Sequence, residues 1–131
     1  MGQTNYDPLY LRGVDEFNRE NYFHSHEVWE DLWIGESGSA RQFYKGLIQA
    51  AVALHHLTNG NPHGARKLLA GCERYLRPYR SRYLGLDVDR FTAAMRGCVE
   101  GAMAGRGATA GPAPMPKIEL QPSPEGEDVG V

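Results

Sequence analysis

The stretch richest in chemically able side chains is His26-Glu27-Val28-Trp29-Glu30-Asp31-Leu32-Trp33. Residues on a helix follow one another at about 100°, which puts His26 and Glu30 one turn apart, between Tyr22, Trp29 and Trp33 on one side and Phe23 and Ile34 on the other. The polar pair is therefore expected inside an apolar face, on a central, buried helix. An unpaired buried charge costs several kcal/mol, so each partner must satisfy the other or find a group on a neighbouring helix. A structural solution is a hydrogen-bonded network of Glu30, His26 and the indole nitrogens of Trp29 and Trp33 that fixes helix packing. A chemical solution uses His26 and Glu30 as metal ligands or as an acid–base pair, with Glu27 beside them as base.

The metal version draws on His26, Glu30 and His56, and the spacing tests it. His-Glu-x-x-Glu resembles half of the zincin pattern, but Glu30 stands where the second histidine ligand would be, which weakens the case for zinc. A dinuclear site in a bundle needs Glu-x-x-His pairs from two helices, and the chain has none. His24, His63 and Cys72 add no ligand set of recognisable spacing. No cofactor is expected, and no catalytic set is complete, so the sequence leaves open whether the protein is an enzyme. The first expectation is a non-enzymatic binding or scaffold module whose His/Glu/Trp cluster is a buried structural network. The alternative is a metal-dependent or acid–base enzyme of hydrolase type using His26, Glu27 and Glu30.

The elements that must position these residues are legible from helix punctuation. Asp7-Pro8, a capping side chain followed by proline at the first helical position, opens a first helix carrying Leu9, Val14 and Phe17. The second helix runs from Tyr22 to Ile34, where Gly35 ends it and the serines of Gly35-Glu36-Ser37-Gly38-Ser39 offer caps for the next. A third helix is expected from about Ala40 to Thr58, closed by Asn59-Gly60. Asn61-Pro62 opens a fourth, which reaches about Arg77 before Pro78 intervenes. Asp87 caps a fifth through Phe91, Met95, Cys98 and Met103. On the third helix, Phe43, Leu47, Ala51 and Leu54 make the main apolar face, while Gln49 and His56 lie opposite. His55 falls near Tyr44 and Ile48, so His55 or His56 could be turned toward the His26–Glu30 pair. Gly46, Ala50 and Ala53 form a small-residue strip where the second helix is expected to approach.

The chain of 131 residues, 41% of them hydrophobic, suffices for one core without disulfides or structural metal. The expected fold is all-α: a single bundle of about five helices over residues 6–104. The Gly/Ala/Pro-rich residues 105–131 follow as a disordered tail, since such composition buries too little apolar surface to offset its ordering entropy. Cys72 and Cys98 are expected as reduced core thiols. The N-terminus has no charged segment leading into an apolar one, and the run from Gly46 to Leu54 is too short for a bilayer. The expectation is a cytoplasmic protein without a membrane partner.

Several blocks carry a resemblance to a known family. These are Phe17-Asn18, Tyr22-Phe23, His26 to Trp33, Gly46 to His56, Gly60-Asn61, Gly64-Ala65 and Leu68-Leu69. In this order and with short gaps, over Asp15 to Leu76, the chain resembles the domain of unknown function 309 family. The resemblance implies a bacterial bundle of about five helices with a His-Glu-x-x-Glu-x-x-Trp signature, here His26, Glu27, Glu30 and Trp33, followed by Gln49 and His56 on the next helix. It implies no established activity, cofactor or substrate. The segment Ala53 to Leu69 also resembles the turn of a tetratricopeptide helix pair, but one unit does not make a solenoid.

Charge limits the partners. The formal net charge is −2, so no global basic field draws the protein onto nucleic acid or anionic membrane. The first two helices are acidic, whereas Arg66, Lys67, Arg74, Arg77, Arg80 and Arg82 crowd a later stretch where Tyr75, Tyr79 and Tyr83 interleave. Nucleic acid is nonetheless not the expected partner, because these arginines can pair with the acidic helices or simply face water. The expected partner is an unidentified protein or small molecule, and exposed tyrosine and methionine leave room for a homo-oligomer.

Overall fold

The computed structural model describes residues 6–105 and 114–122. Five helices form in the expected places: α1 (Pro8–Asn18), α2 (Tyr22–Ile34), α3 (Arg41–Thr58), α4 (Pro62–Leu76) and α5 (Val88–Met103). Their punctuation is physical. Asp7 accepts a hydrogen bond from the Leu9 amide at 2.8 Å, Asn61 from Gly64 at 3.0 Å and Asp87 from Arg90 at 3.0 Å. Each satisfies a donor that the first helical turn leaves open. The serines between α2 and α3 do not serve this way: the residue at the α3 cap is Ala40, with no side-chain bond, and Glu36 instead accepts from the Gly38 amide at 3.0 Å.

The helices pack in chain order, α3 lying between α2 and α4 and α5 closing on α4. At Gly46 the strip admits α4 rather than α2: a Cβ there would stand 2.6 Å from Leu76 Cδ2. Small residues fix how close a helix comes but not which helix arrives. One core runs through the bundle, with Phe17, Trp29, Phe43, Leu47, Leu54, Leu76 and Met95 almost fully buried. Phe17 is its pivot, with ring centroids 5.3 Å from Tyr22, 5.8 Å from Trp29 and 5.8 Å from Phe91. Cys72 and Cys98 are unpaired and buried, as expected, and burial raises both thiol pKa values.

Beyond α4 the chain makes a short 3-10 turn (Arg77–Tyr79) and an antiparallel hairpin, β1 (Arg82–Tyr83) with β2 (Leu86–Asp87). The two loop residues, Leu84 and Gly85, have φ of 46° and 79°, the left-handed pair that a two-residue hairpin requires. Within the segment expected to be a tail, residues 114–122 run extended against the helices, with Ile118 only 3% exposed. Residues 106–113 and 123–131 lie outside the described residues. Among the described residues no helix is long and apolar enough to cross a membrane.

Candidate functional site

The α1–α2 seam sets the orientation of α2. Gly13 on α1 gives room to Trp29, since a Cβ there would collide with the indole. Trp29 donates its Nε1 hydrogen to the Tyr10 carbonyl at 3.2 Å, and Ser25, fully buried, donates to the Gly13 carbonyl at 2.8 Å. Tyr22, Ser25, Val28, Trp29 and Leu32 thereby become the inward face of α2. At the α1–α2 joint the Asn21 amide donates to Glu16 at 2.9 Å. Together with His24 at 3.4 Å, that bond holds the Glu16 carboxyl below the usual range.

This orientation turns the expected site outward. The Glu30 side chain is 50% exposed and that of His26 17%, with His26 Nε2 4.0 Å from Glu30 Oε1. Glu27 is also exposed. The expectation of a buried polar pair is thus corrected: Glu30 faces solvent and His26 is only partly buried beside it. The physical reason is that Phe23, 52% exposed, and Ile34, 70% exposed, lie on the outer face, where the sequence reading took them as buried flanks. His26 Nδ1 lies 2.6 Å from the Phe23 carbonyl, a contact within its own helix turn. Neither indole joins a network with the pair: Trp29 bonds to α1, and Trp33 Nε1 is buried with no partner among the described residues.

The remaining candidates separate. His55 shares the Phe23 ring with His26, at centroid distances of 5.3 Å and 4.9 Å respectively. Gln49 lies against Gly71 of α4, and His56 faces the α3–α4 turn, its Nδ1 3.4 Å from Asn61 Nδ2. The set His26, Glu30 and His56 therefore does not converge, and among the described residues no group of three or more His, Cys, Asp or Glu side chains could hold a metal ion.

Two residues not singled out from the sequence border this face. Arg41 places its guanidinium 4.0 Å from the centre of the Trp33 ring, and Lys45 its ammonium at 4.6 Å, both attracted by the electron-rich ring face. Their signal was spacing: both sit on the first two turns of α3, where the chain returns past the end of α2. Of the basic stretch, Arg80 pairs with an acid of α5 and not of α1 or α2. Arg80 meets Asp89 at 2.8 Å, and Arg96, further along α5, meets Glu73 at 2.6 Å. Tyr79 and Tyr83 meet Phe43 edge to face, at 5.3 Å and 4.9 Å between centroids, so these rings are engaged with the core.

The resemblance read from the sequence is borne out: the model of the family described as Domain of unknown function (DUF309) matches residues 10–68. The chain is 33% identical over 99 residues to the uncharacterized protein YpuF of Bacillus subtilis (strain 168), an alignment covering 72% of this chain and 57% of YpuF. It is 36% identical over 47 residues to an uncharacterized protein of Aquifex aeolicus (strain VF5), covering 35% of this chain and 14% of that protein. The chain thus spans less than two thirds of the length of either relative.

Proposed function

We propose that the chain is a non-enzymatic binding module and that the outward face of α2 is its contact surface. The observation that carries this reading is the pairing of Phe23, 52% exposed, with Ile34, 70% exposed. Single exposed apolar residues are ordinary on any protein. These two share one stripe: after eleven residues a helix has made about three turns, so Ile34 stands nearly in line with Phe23 and about 16 Å along the axis. Between them Glu27, Glu30 and Asp31 face solvent, with His26 at the edge. Apolar ends with an acidic middle suit a protein helix carrying apolar residues at the same separation and lysine or arginine between them. Proton transfer is less well served, because the carboxylates stand in the open and the cavity of about 850 Å3 lies elsewhere, against α5.

The test is a titration of the isotopically labelled chain with a synthetic helical peptide that carries two leucines eleven residues apart and lysines between. Saturable amide shifts confined to α2 and the start of α3 are expected. Replacing Phe23 and Ile34 together by serine should weaken binding by about tenfold or more, equivalent to about 1.4 kcal/mol. Shifts scattered over the other helices, or an affinity indifferent to the double substitution, would contradict the reading.

A further inference from the structure

The extended residues 114–122 are held in a manner that resembles a bound peptide more than a continuation of the bundle. Two residues of the segment have both main-chain groups taken by atoms of the helical body and hairpin. At Ile118, Asn18 Oδ1 accepts from the amide at 2.7 Å and Asn18 Nδ2 donates to the carbonyl at 2.8 Å, so one side-chain amide imitates a neighbouring strand. At Gln121, the Gly85 carbonyl accepts from the amide at 2.9 Å and the Tyr6 hydroxyl donates to the carbonyl at 2.7 Å. These four bonds recognise an extended backbone whatever its side chains, the mode by which peptides add to a sheet edge.

Three side chains supply selection. Ile118 is buried in the core, 3% exposed. Pro116 is buried before it, a residue already restricted in φ and so cheap to hold extended. Lys117 donates to the Asn18 carbonyl at 2.8 Å and reaches Glu20 at 3.2 Å, meeting the negative end of α1. Among the described residues, a cavity of about 850 Å3 lies beside the segment, lined in part by Arg90, Phe91, Ala94, Cys98 and Met115.

We propose that this groove, between the C-terminal end of α1, the hairpin and α5, is a recognition site for an extended peptide. Residues 114–122 fill it as an internal ligand. A partner protein's segment with proline, a basic residue and an aliphatic residue in succession takes their place. A covalently attached ligand competes at an effective concentration of about a millimolar, so the internal segment sets the threshold that a partner must exceed. This site is separate from the outward face of α2.

The experiment uses the full chain with a specific protease sequence inserted between Gly105 and Pro114 and cut after folding. A fluorescent synthetic peptide reproducing residues 114–122 is then followed by anisotropy. Saturable uptake by the cut chain is expected. Binding should fall about tenfold or more when the peptide carries Ile118→Asp or Lys117→Glu, or when the chain carries Asn18→Ala. The uncut chain should take up the peptide more weakly, by about the ratio of a millimolar effective concentration to the cut chain's Kd, because its own segment competes. The proposal is overturned if the cut chain binds no peptide at about a millimolar, binds the Ile118→Asp peptide equally well, or unfolds on cutting. As a second variant, the uncut chain with Ile118→Asp should take up the unsubstituted peptide more tightly than the uncut parent; equal affinity there also counts against it. Substituting Phe23 and Ile34 should leave all of these affinities unchanged, so failure here and failure of the α2 reading are distinguishable.

Discussion

Trp29 and Trp33 stand one turn apart on α2 and have opposite environments. Trp29 is fully buried and its indole hydrogen bonds to the Tyr10 carbonyl at 3.2 Å. Trp33 is partly exposed, its ring covered by the Arg41 guanidinium at 4.0 Å and its Nε1 left without a partner among the described residues. The difference follows from what each meets. Trp29 meets a helix that offers Gly13 and the Tyr10 carbonyl, so a large ring and a donor are both accommodated. Trp33 meets the start of α3, where long cationic side chains cover its face but supply no acceptor. One helix thus carries an inward face that specifies the bundle and an outward border left adaptable for contact.

The largest expected effect tests the inward half of that contrast. Trp29→Ala leaves a cavity where Phe17 and the α1 backbone now pack, and such truncations cost about 3–5 kcal/mol; denaturant unfolding should show that loss. Gly13→Val attacks the same contact from the other side and should prevent the seam from closing, read as loss of near-ultraviolet dichroism. A fold that tolerates either change would mean that the α1–α2 seam is not what orients α2.

Ser25→Ala is the next step down. Its hydroxyl is fully buried and donates to the Gly13 carbonyl at 2.8 Å, so removing it should cost about 1 kcal/mol, measured as a lower denaturation midpoint with unchanged slope. No comparable loss is expected from serines that are exposed, such as Ser37.

These seam residues also mark how far the sequence could be read. The ends of the helices were legible because Asp7-Pro8, Asn61-Pro62 and Asp87 act locally, through side-chain bonds to amides two or three residues on. The resemblance to the family and the all-α fold were likewise visible. The inward direction of α2 was not, because the helix carries apolar side chains around most of its circumference and periodicity gives no contrast. Phe23 and Ile34 counted as core on hydropathy alone, and only the match of Ser25 and Trp29 to Gly13 and Tyr10, a relation between two helices, decides which side is buried. The seating of residues 114–122 was hidden for a similar reason. It rests on Pro116, Lys117 and Ile118 and on backbone groups that meet Asn18 and Gly85 far away in the chain, and composition does not weigh such contacts.

Trp33→Phe should have a smaller effect, within about 0.5 kcal/mol of the parent. It removes an N–H that is buried without a partner, a change that costs nothing in lost bonding and relieves a desolvation penalty. It also weakens the ring face over which Arg41 and Lys45 sit. A loss above about 2 kcal/mol in equilibrium unfolding would show that Trp33 belongs with Trp29 in the specifying half of the helix, and the contrast would fail.

The smallest expected change in stability is the most telling for function. Phe23→Ser combined with Ile34→Ser alters side chains that are 52% and 70% exposed, and surface substitutions of this kind usually stay within about 0.5 kcal/mol. Phe23 also touches the His26 and His55 rings, so its share of any loss should exceed that of Ile34. If unfolding midpoints hold while affinity for the leucine–lysine peptide falls, the outward face is kept for a partner and not for the bundle. If the double variant is destabilised as much as Ser25→Ala, those side chains support the fold, and exposure alone no longer argues for a contact surface on α2.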